Sequence, residues 1–387
     1  MSVTAPRGFV AAGVSAGLRA TRRLDLGLLV SQTPANAAGL FTTNAFAAAP
    51  VEVCRRRLLD GSARAVVANS GQANAGTGPD GVEDAEAVTA AVAEALGGLA
   101  PTDVLPCSTG VIGPRIDVPA AVEGVRRAAG SLGSDGGTDF AEAIRTTDSV
   151  AKQTAVAGEG FTVGGCAKGA GMISPDLATL LVFLTTDAAC SPTAAAHALR
   201  RGAAPVWNAL TVDNCPSTND TVLLLANGAS GFEPSPDALT EAVGEASRDL
   251  AHQIVDDAEG ATTTLVVQVD GATGGADARR VGKAVAGSLL VKTAVFGKDP
   301  NPGRILQAVG ASGARFRPEA VDATLGGIPV IRAGGIPAAF DPAACVEAMK
   351  EREVVIRITL GPGPGRATAF GCDLGYDYVR INGEYTT

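Results

Sequence analysis

Short apolar runs alternate along this chain with alanine-rich segments whose apolar positions recur at helical spacing, and Gly or Pro marks nearly every junction. Residues 8–53 read as short strands and turns, with Asp25–Val30 and Ala37–Thr42 as the strand candidates. Ala63–Ala68 reads as a strand running into the polar loop 69–78. An amphipathic helix follows from about Gly81 to Leu96, and Val104–Gly110 reads as a strand breaking into a second polar loop. Further helices are expected near 117–130, 138–145, 192–209 and 236–255, with strands at 161–164, 179–186, 221–225 and 262–269. A last unit comprises helix Ala278–Leu290, a Pro/Gly loop over 297–303, helix Arg304–Val309 and terminal strands. The pattern is mixed α/β. A soft boundary near 260 divides a core over 1–260 from a smaller α/β domain over 261–387.

One stretch concentrates the chemistry. Lys168 stands in a Gly-rich segment that ends in the turn-forming Ser174-Pro175-Asp176, and the Ala178-Thr179 bond then opens a continuous apolar run. Thr179 therefore lies at a strand entrance. If the preceding peptide bond were cut, its hydroxyl would share a residue with a free α-amine, the nucleophile and base of N-terminal threonine enzymes. Threonine is also common in strands for the fit of its branched side chain, so the residue type alone decides nothing. The histidines sharpen the choice: there are 2, His197 and His252, both in helix-like segments without a nearby nucleophile. A base for acyl chemistry would come instead from a carboxylate, a lysine or an amine.

Composition narrows the class. Hydrophobic residues make up 46%, enough for a large packed core, and no apolar stretch is long enough for a membrane span or a signal peptide. Net charge is −9, with no basic cluster beyond Arg55-Arg56-Arg57 and Arg200-Arg201, and aromatics are only 4%. Both facts argue against nucleic-acid or anionic-membrane partners. The 7 cysteines show no Cys-x-x-Cys pair or histidine at ligand spacing, so reduced thiols in a cytoplasmic protein are expected and no metal site is. Cys107 and Cys166 lie near the polar loops, yet a thiol nucleophile there would need a partner base. Gly169-Ala170-Gly171 lacks the rest of a nucleotide fingerprint.

Asn69–Asn74, Cys107–Gly113, Thr146–Asp148, Lys168–Thr179, Ser217–Asp220, Glu259–Ala261, Val291–Thr293, Asp299–Asn301 with Gly303–Ile305, and Tyr376–Thr387 together, in order and spacing, resemble the ornithine acetyltransferase family, the glutamate N-acetyltransferases of arginine biosynthesis. The resemblance covers nearly the whole chain. It implies self-cleavage between Ala178 and Thr179, giving an α segment 1–178 and a β segment 179–387 that assemble as an α2β2 heterotetramer. It implies an αββα sandwich resembling N-terminal nucleophile hydrolases, with the C-terminal tail returning to the active site. Pro302 stands where the family usually has tryptophan, Ala258 where it usually has glycine, and Asn214-Cys215-Pro216 is unusual. Near the pocket, these departures would bear on the acyl acceptor.

The implied reaction moves the acetyl group of N2-acetylornithine to glutamate through an ester on Thr179, in arginine biosynthesis or a related secondary-metabolite pathway. No cofactor is implied, and acetyl-CoA stays open as an alternative donor. Thr109 and Gly110 match the family's oxyanion hole, and Thr147, Lys168, Thr179, Glu259, Asn382 and Thr387 match its substrate contacts. Lys168 suits the substrate carboxylate, and Glu259 suits an ammonium or proton transfer. Two other readings compete: an aminopeptidase or amidase of the same fold, with water as acceptor, and an uncleaved amino-acid-binding protein.

Overall fold

The structure is a computed structural model and describes residues 2–20, 23–174 and 180–384. Strands β1 (Phe9–Val14), β2 (Leu26–Phe41), β3 (Ser62–Gln72), β4 (Val104–Val111), β5 (Lys152–Ala157), β6 (Thr162–Lys168), β7 (Leu181–Thr186) and β8 (Thr221–Ala226) form one sheet. Its order is β4-β3-β2-β8-β7-β6-β5, with β1 also on β2. The hinge of this sheet is β2. Its pairing with β3 shifts register between Val30 and Ala35, and beyond that point residues Asn36–Phe41 pair with β8. A bulge of this kind bends a strand and increases its twist.

Side-chain alternation shows that the two halves of the sheet face each other. Leu29, Val66 and Leu105 from one half and Phe183, Leu223 and Leu225 from the other share one buried cluster with Phe9 and Phe140. Phe140 and Phe183 meet edge to face at 5.1 Å. The opposite side chains point outward. Leu28, Val67 and Val104 meet Val88, Val92 and Val125 of helices Gly78–Leu96 and Val118–Gly130. Val182, Leu184, Val222 and Leu224 meet Leu239, Leu250 and Ile254 of helix Pro236–Asp256. The layers are helix, sheet, sheet, helix, the αββα sandwich expected.

A second sheet holds β9 (Thr264–Ala272), β10 (Asp322–Leu325), β11 (Ile328–Ile331), β12 (Glu353–Thr359) and β13 (Gly365–Cys372), in the order β11-β10-β12-β9-β13. Leu265, Val267 and Val269 pack beneath Val281 and Val285 of helix Gly275–Ala286. The other face sends Val266, Phe370 and Cys372 into the cluster around helix Pro236–Asp256.

Several elements differ from expectation. Residues 69–72 continue β3 rather than starting a loop, and Lys168 ends β6 rather than riding a loop. Glycine misled both readings: in β6 a Cβ on Gly164 would fall 2.3 Å from the Ser2 carbonyl oxygen, so packing, not flexibility, requires it there. Lys152–Ala157 is an additional strand. Helix 192–209 is broken by a π turn over Leu199–Ala203, and helix 278–290 breaks at Gly287-Ser288, where Ser288 caps Leu289–Phe296. The terminal segment adds helices Pro342–Ala348 and Tyr376–Glu384 to its strands. Among the described residues, no helix is long and apolar enough to cross a membrane.

Candidate active site

The parallel pair β3 and β4 ends in two facing glycines, Gly71 and Gly110. Gly110 has φ +131°, and a Cβ there would lie 2.4 Å from the Gly71 carbonyl, so any side chain would force the strand ends apart. The residues around Thr109 are clamped. Ser108 Oγ donates to Asn69 Oδ1 at 2.6 Å, and Asn219 Nδ2 donates to the carbonyls of Ala73 at 2.6 Å and Ser108 at 2.8 Å. Thr109 is buried at the strand end and accepts a hydrogen bond from Lys168 Nζ at 3.2 Å. Because its oxygen is engaged as an acceptor, the Thr109 O–H is free to donate elsewhere.

Lys168 is itself buried, and the surroundings oppose one another. Desolvation lowers its pKa below the ordinary lysine value, with Lys152 acting in the same direction, while Asp148, Glu259 and Asp220 favour the charged form. Asp148 is the nearest part of a buried network. Its Oδ1 accepts from Lys152 Nζ at 2.7 Å and from the Gly169 N–H at 2.7 Å, and its Oδ2 accepts from the Thr146 N–H at 3.0 Å. Burial alone would raise the Asp148 pKa, but Lys152, Lys168 and these hydrogen bonds hold it well below the usual carboxylate range. Lys152 Nζ also reaches Asp257 Oδ2 at 2.6 Å. The network thereby ties the Thr146-Thr147 turn and the end of β6 to the C-terminal end of helix Pro236–Asp256.

Two residues beyond Asp257 stands Glu259. Its N–H donates to the Ala170 carbonyl at 2.9 Å, and its carboxylate accepts from Asn382 Nδ2 at 2.9 Å. The approach opposite is close: a Cβ on Gly171 would lie 2.3 Å from Glu259 Oε2 and would push the carboxylate aside. Asp213 fixes the neighbouring backbone, accepting from the N–H groups of Met172 at 2.7 Å and Ile173 at 2.8 Å and from Tyr378 Oη at 3.0 Å. Burial and Asp213 raise the Tyr378 pKa, so its hydroxyl keeps its proton as the donor in that contact. Gly260, at φ +69°, allows helix Tyr376–Glu384 to pass closely, since a Cβ there would meet the Tyr378 nitrogen at 2.3 Å.

These segments enclose a solvent-open cleft with about 720 Å³ of empty space. Thr109, Gly110, Thr147, Lys168, Glu259 and Asn382 all line it. Ala178, Thr179 and Thr387 lie outside the described residues. The first described residue after Thr179 is buried: the Leu180 N–H donates to Asp220 Oδ1 at 3.1 Å, and burial raises the Asp220 pKa well above the usual carboxylate range. Arg19, Ser217, Thr218 and Asn219 also line the cleft. Sequence reasoning did not single out Arg19, which belongs to no motif and reaches the cleft only through folding. Asp148 sat inside the Thr146–Asp148 match, but nothing in the sequence showed its partners.

Other candidates fall away from the cleft. Pro302 begins helix Pro302–Gly310, Ala258 belongs to the core, and Asn214 bonds to Thr211 and Gly287; none lines the cleft. The expected bearing of these departures on the acceptor therefore has no direct contact behind it. Burial raises the thiol pKa of Cys107 and Cys166, which suits packing rather than nucleophilic attack. No acidic, histidine or cysteine cluster suited to a metal occurs among the described residues.

The chain is 47% identical to the arginine biosynthesis bifunctional protein ArgJ of Symbiobacterium thermophilum, covering 100% of this chain and 98% of that protein. It is 43% identical to the protein of the same name from Thermobifida fusca, over 100% of both. The crystal structure of arginine biosynthesis bifunctional protein ArgJ from Bacillus halodurans superposes with a TM-score of 0.51 at 39% identity, covering 52% of this chain and 98% of that one. The model of the ArgJ family matches residues 10–387, a span that holds all but the first residue of the two sheets and every described wall of the cleft, and the chain belongs to that family.

Proposed function

We propose that this protein transfers the acetyl group of N2-acetylornithine to glutamate through an ester on Thr179, releasing ornithine and N-acetylglutamate. The observation that carries the reading is the cleft itself, where the Thr109-Gly110 strand end, the buried Lys168 and the Glu259–Asn382 pair converge. The α-amine of Thr179, freed by cleavage after Ala178, takes the Oγ proton as Oγ attacks the acetyl carbonyl. The tetrahedral oxyanion is met by the Thr109 hydroxyl and the Gly110 N–H. Collapse breaks the C–N bond, and ornithine leaves with a proton on its α-nitrogen. Glutamate then occupies the same cleft, its amine attacks the ester, and Thr179 Oγ regains its proton.

Charges in the cleft suit two amino acids. Lys168 spends one N–H on Thr109, leaving two for the α-carboxylate common to both substrates. Glu259 suits the ornithine ammonium, Thr147 and Asn382 line the same cleft, and Thr387 is assigned to the substrate as a further contact. The Bacillus halodurans chain matches a little over half of this one when used almost entirely, which supports mature proteins made of separate segments. We assign the mature protein to two α and two β segments in the cytoplasm, working without a cofactor. Incubation with acetylornithine, with and without glutamate, tests the reaction: N-acetylglutamate is the expected product, whereas acetate alone would make the enzyme a hydrolase. Replacing acetylornithine with acetyl-CoA in the same assay decides whether a second donor is used.

A further inference from the structure

Arg19 lines the cleft, and no carboxylate pairs with it among the described residues. Its position is built in three ways. First, the buried Asp25 carboxylate gathers the backbone N–H groups of Ala16 (2.5 Å), Gly17 (3.1 Å), Leu18 (2.8 Å) and Arg19 (3.1 Å), fixing the turn from which the side chain springs. Second, the arginine stem lies over Gly71, where a Cβ would fall 2.9 Å from Arg19 Cγ. Third, its two terminal nitrogens donate to consecutive carbonyls, Arg145 at 2.7 Å and Thr146 at 3.3 Å. These bonds hold the guanidinium beside Thr147 and leave three of its N–H groups for a ligand.

We propose that Arg19 is the specificity-determining residue for the acyl acceptor, binding the side-chain carboxylate of glutamate. The proposal rests on the transfer reaction above and extends it. An α-carboxylate is attached to the same carbon as the reacting nitrogen, so its cation must sit next to the oxyanion donors, where Lys168 touches Thr109. A side-chain carboxylate reaches further, and Arg19, whose stem crosses Gly71 and whose guanidinium is anchored beyond it on the Arg145-Thr146 backbone, supplies a planar fork for it. One cleft thus takes ornithine by placing its ammonium at Glu259 and takes glutamate by placing its second carboxylate at Arg19.

The test compares R19M with the wild-type enzyme using glutamate and the isosteric, uncharged glutamine as acceptors, together with ornithine release from acetylornithine alone. R19M should raise the KM for glutamate about 10- to 100-fold while leaving glutamine almost unaffected, so that the preference between them collapses. Ornithine release should change by less than about threefold, because the donor side chain carries no carboxylate. Equal losses for glutamate and glutamine, or equal losses in both half-reactions, would overturn the assignment and leave Arg19 as a scaffold for the 145–146 turn. R19Q, which keeps a polar but uncharged side chain at this turn, makes the same comparison if R19M does not fold. A wild-type enzyme that releases no ornithine would refute the transfer reaction itself, before any variant is measured.

Discussion

Lys168 and Gly110 carry the sharpest expectations at the scale of single residues. With burial disfavouring its charge, Lys168 should lose its proton below the ordinary lysine range, so kcat/KM for acetylornithine should fall on an alkaline limb displaced to lower pH. Of the groups facing it, Asp148, Glu259 and Asp220 favour the proton and Lys152 opposes it. Asp148→Asn should therefore move the limb lower still, and a limb that stays in place would remove Asp148 from control of Lys168. The same carboxylate links stability to pH. Its folded pKa is depressed below the unfolded value, so its contribution is present at neutral pH and is lost as pH falls through the folded value. Denaturation midpoints of wild type and Asp148→Asn should accordingly converge in acid. Gly110→Ala should cost about 1–3 kcal/mol in backbone strain alone, and activity should fall further because the strand end moves, as a urea melt and a turnover assay would show. Thr109, Gly110 and Lys168 were legible from the sequence because they sit in contiguous motifs. Arg19 was not, because its meaning comes from carbonyls more than a hundred positions away.

At the scale of elements, the buried Asp148–Lys152–Asp257 network is the joint between β5, the end of β6 and helix Pro236–Asp256. Lys152→Met would leave two carboxylates facing each other without their cation. Removing one partner of a buried pair typically costs about 3–5 kcal/mol, and chemical denaturation should show a loss of that order; an unchanged midpoint would mean the network relaxes into solvent. Long helices such as Gly78–Leu96 and Pro236–Asp256 were readable because their apolar stripes persist over many turns. Strand β5 was not, since its buried Lys152 reads as a surface residue until its two carboxylates are seen. The end of β3 was hidden too: Asn69-Ser70-Gly71 looks like a turn, whereas in the fold Gly71 is the seat for Gly110 and for the Arg19 stem.

Across the whole molecule, the cleft draws on the turn between β1 and β2, the ends of β3, β4 and β6, the 146–147 turn, the Ser217–Asn219 segment, Glu259 and the C-terminal helix. The layered fold was legible from the alternation of apolar strands and amphipathic helices, but the folding of the sheet upon itself at the β2 bulge was not, because a bulge leaves no periodic signal. One cleft serving two amino acids in turn should give parallel double-reciprocal lines in acetylornithine and glutamate, and intersecting lines would mean that both are bound together. The central claim is an acetyl ester on a threonine that chain cleavage has freed, and the intact mass of the purified protein after exposure to acetylornithine alone tests it most directly. Two fragments are expected, ending at Ala178 and beginning at Thr179, with one acetyl group added to the second and none of either in Thr179→Ala. A single 38.5 kDa chain, or fragments that turn over acetylornithine without ever carrying the acetyl group, would contradict it.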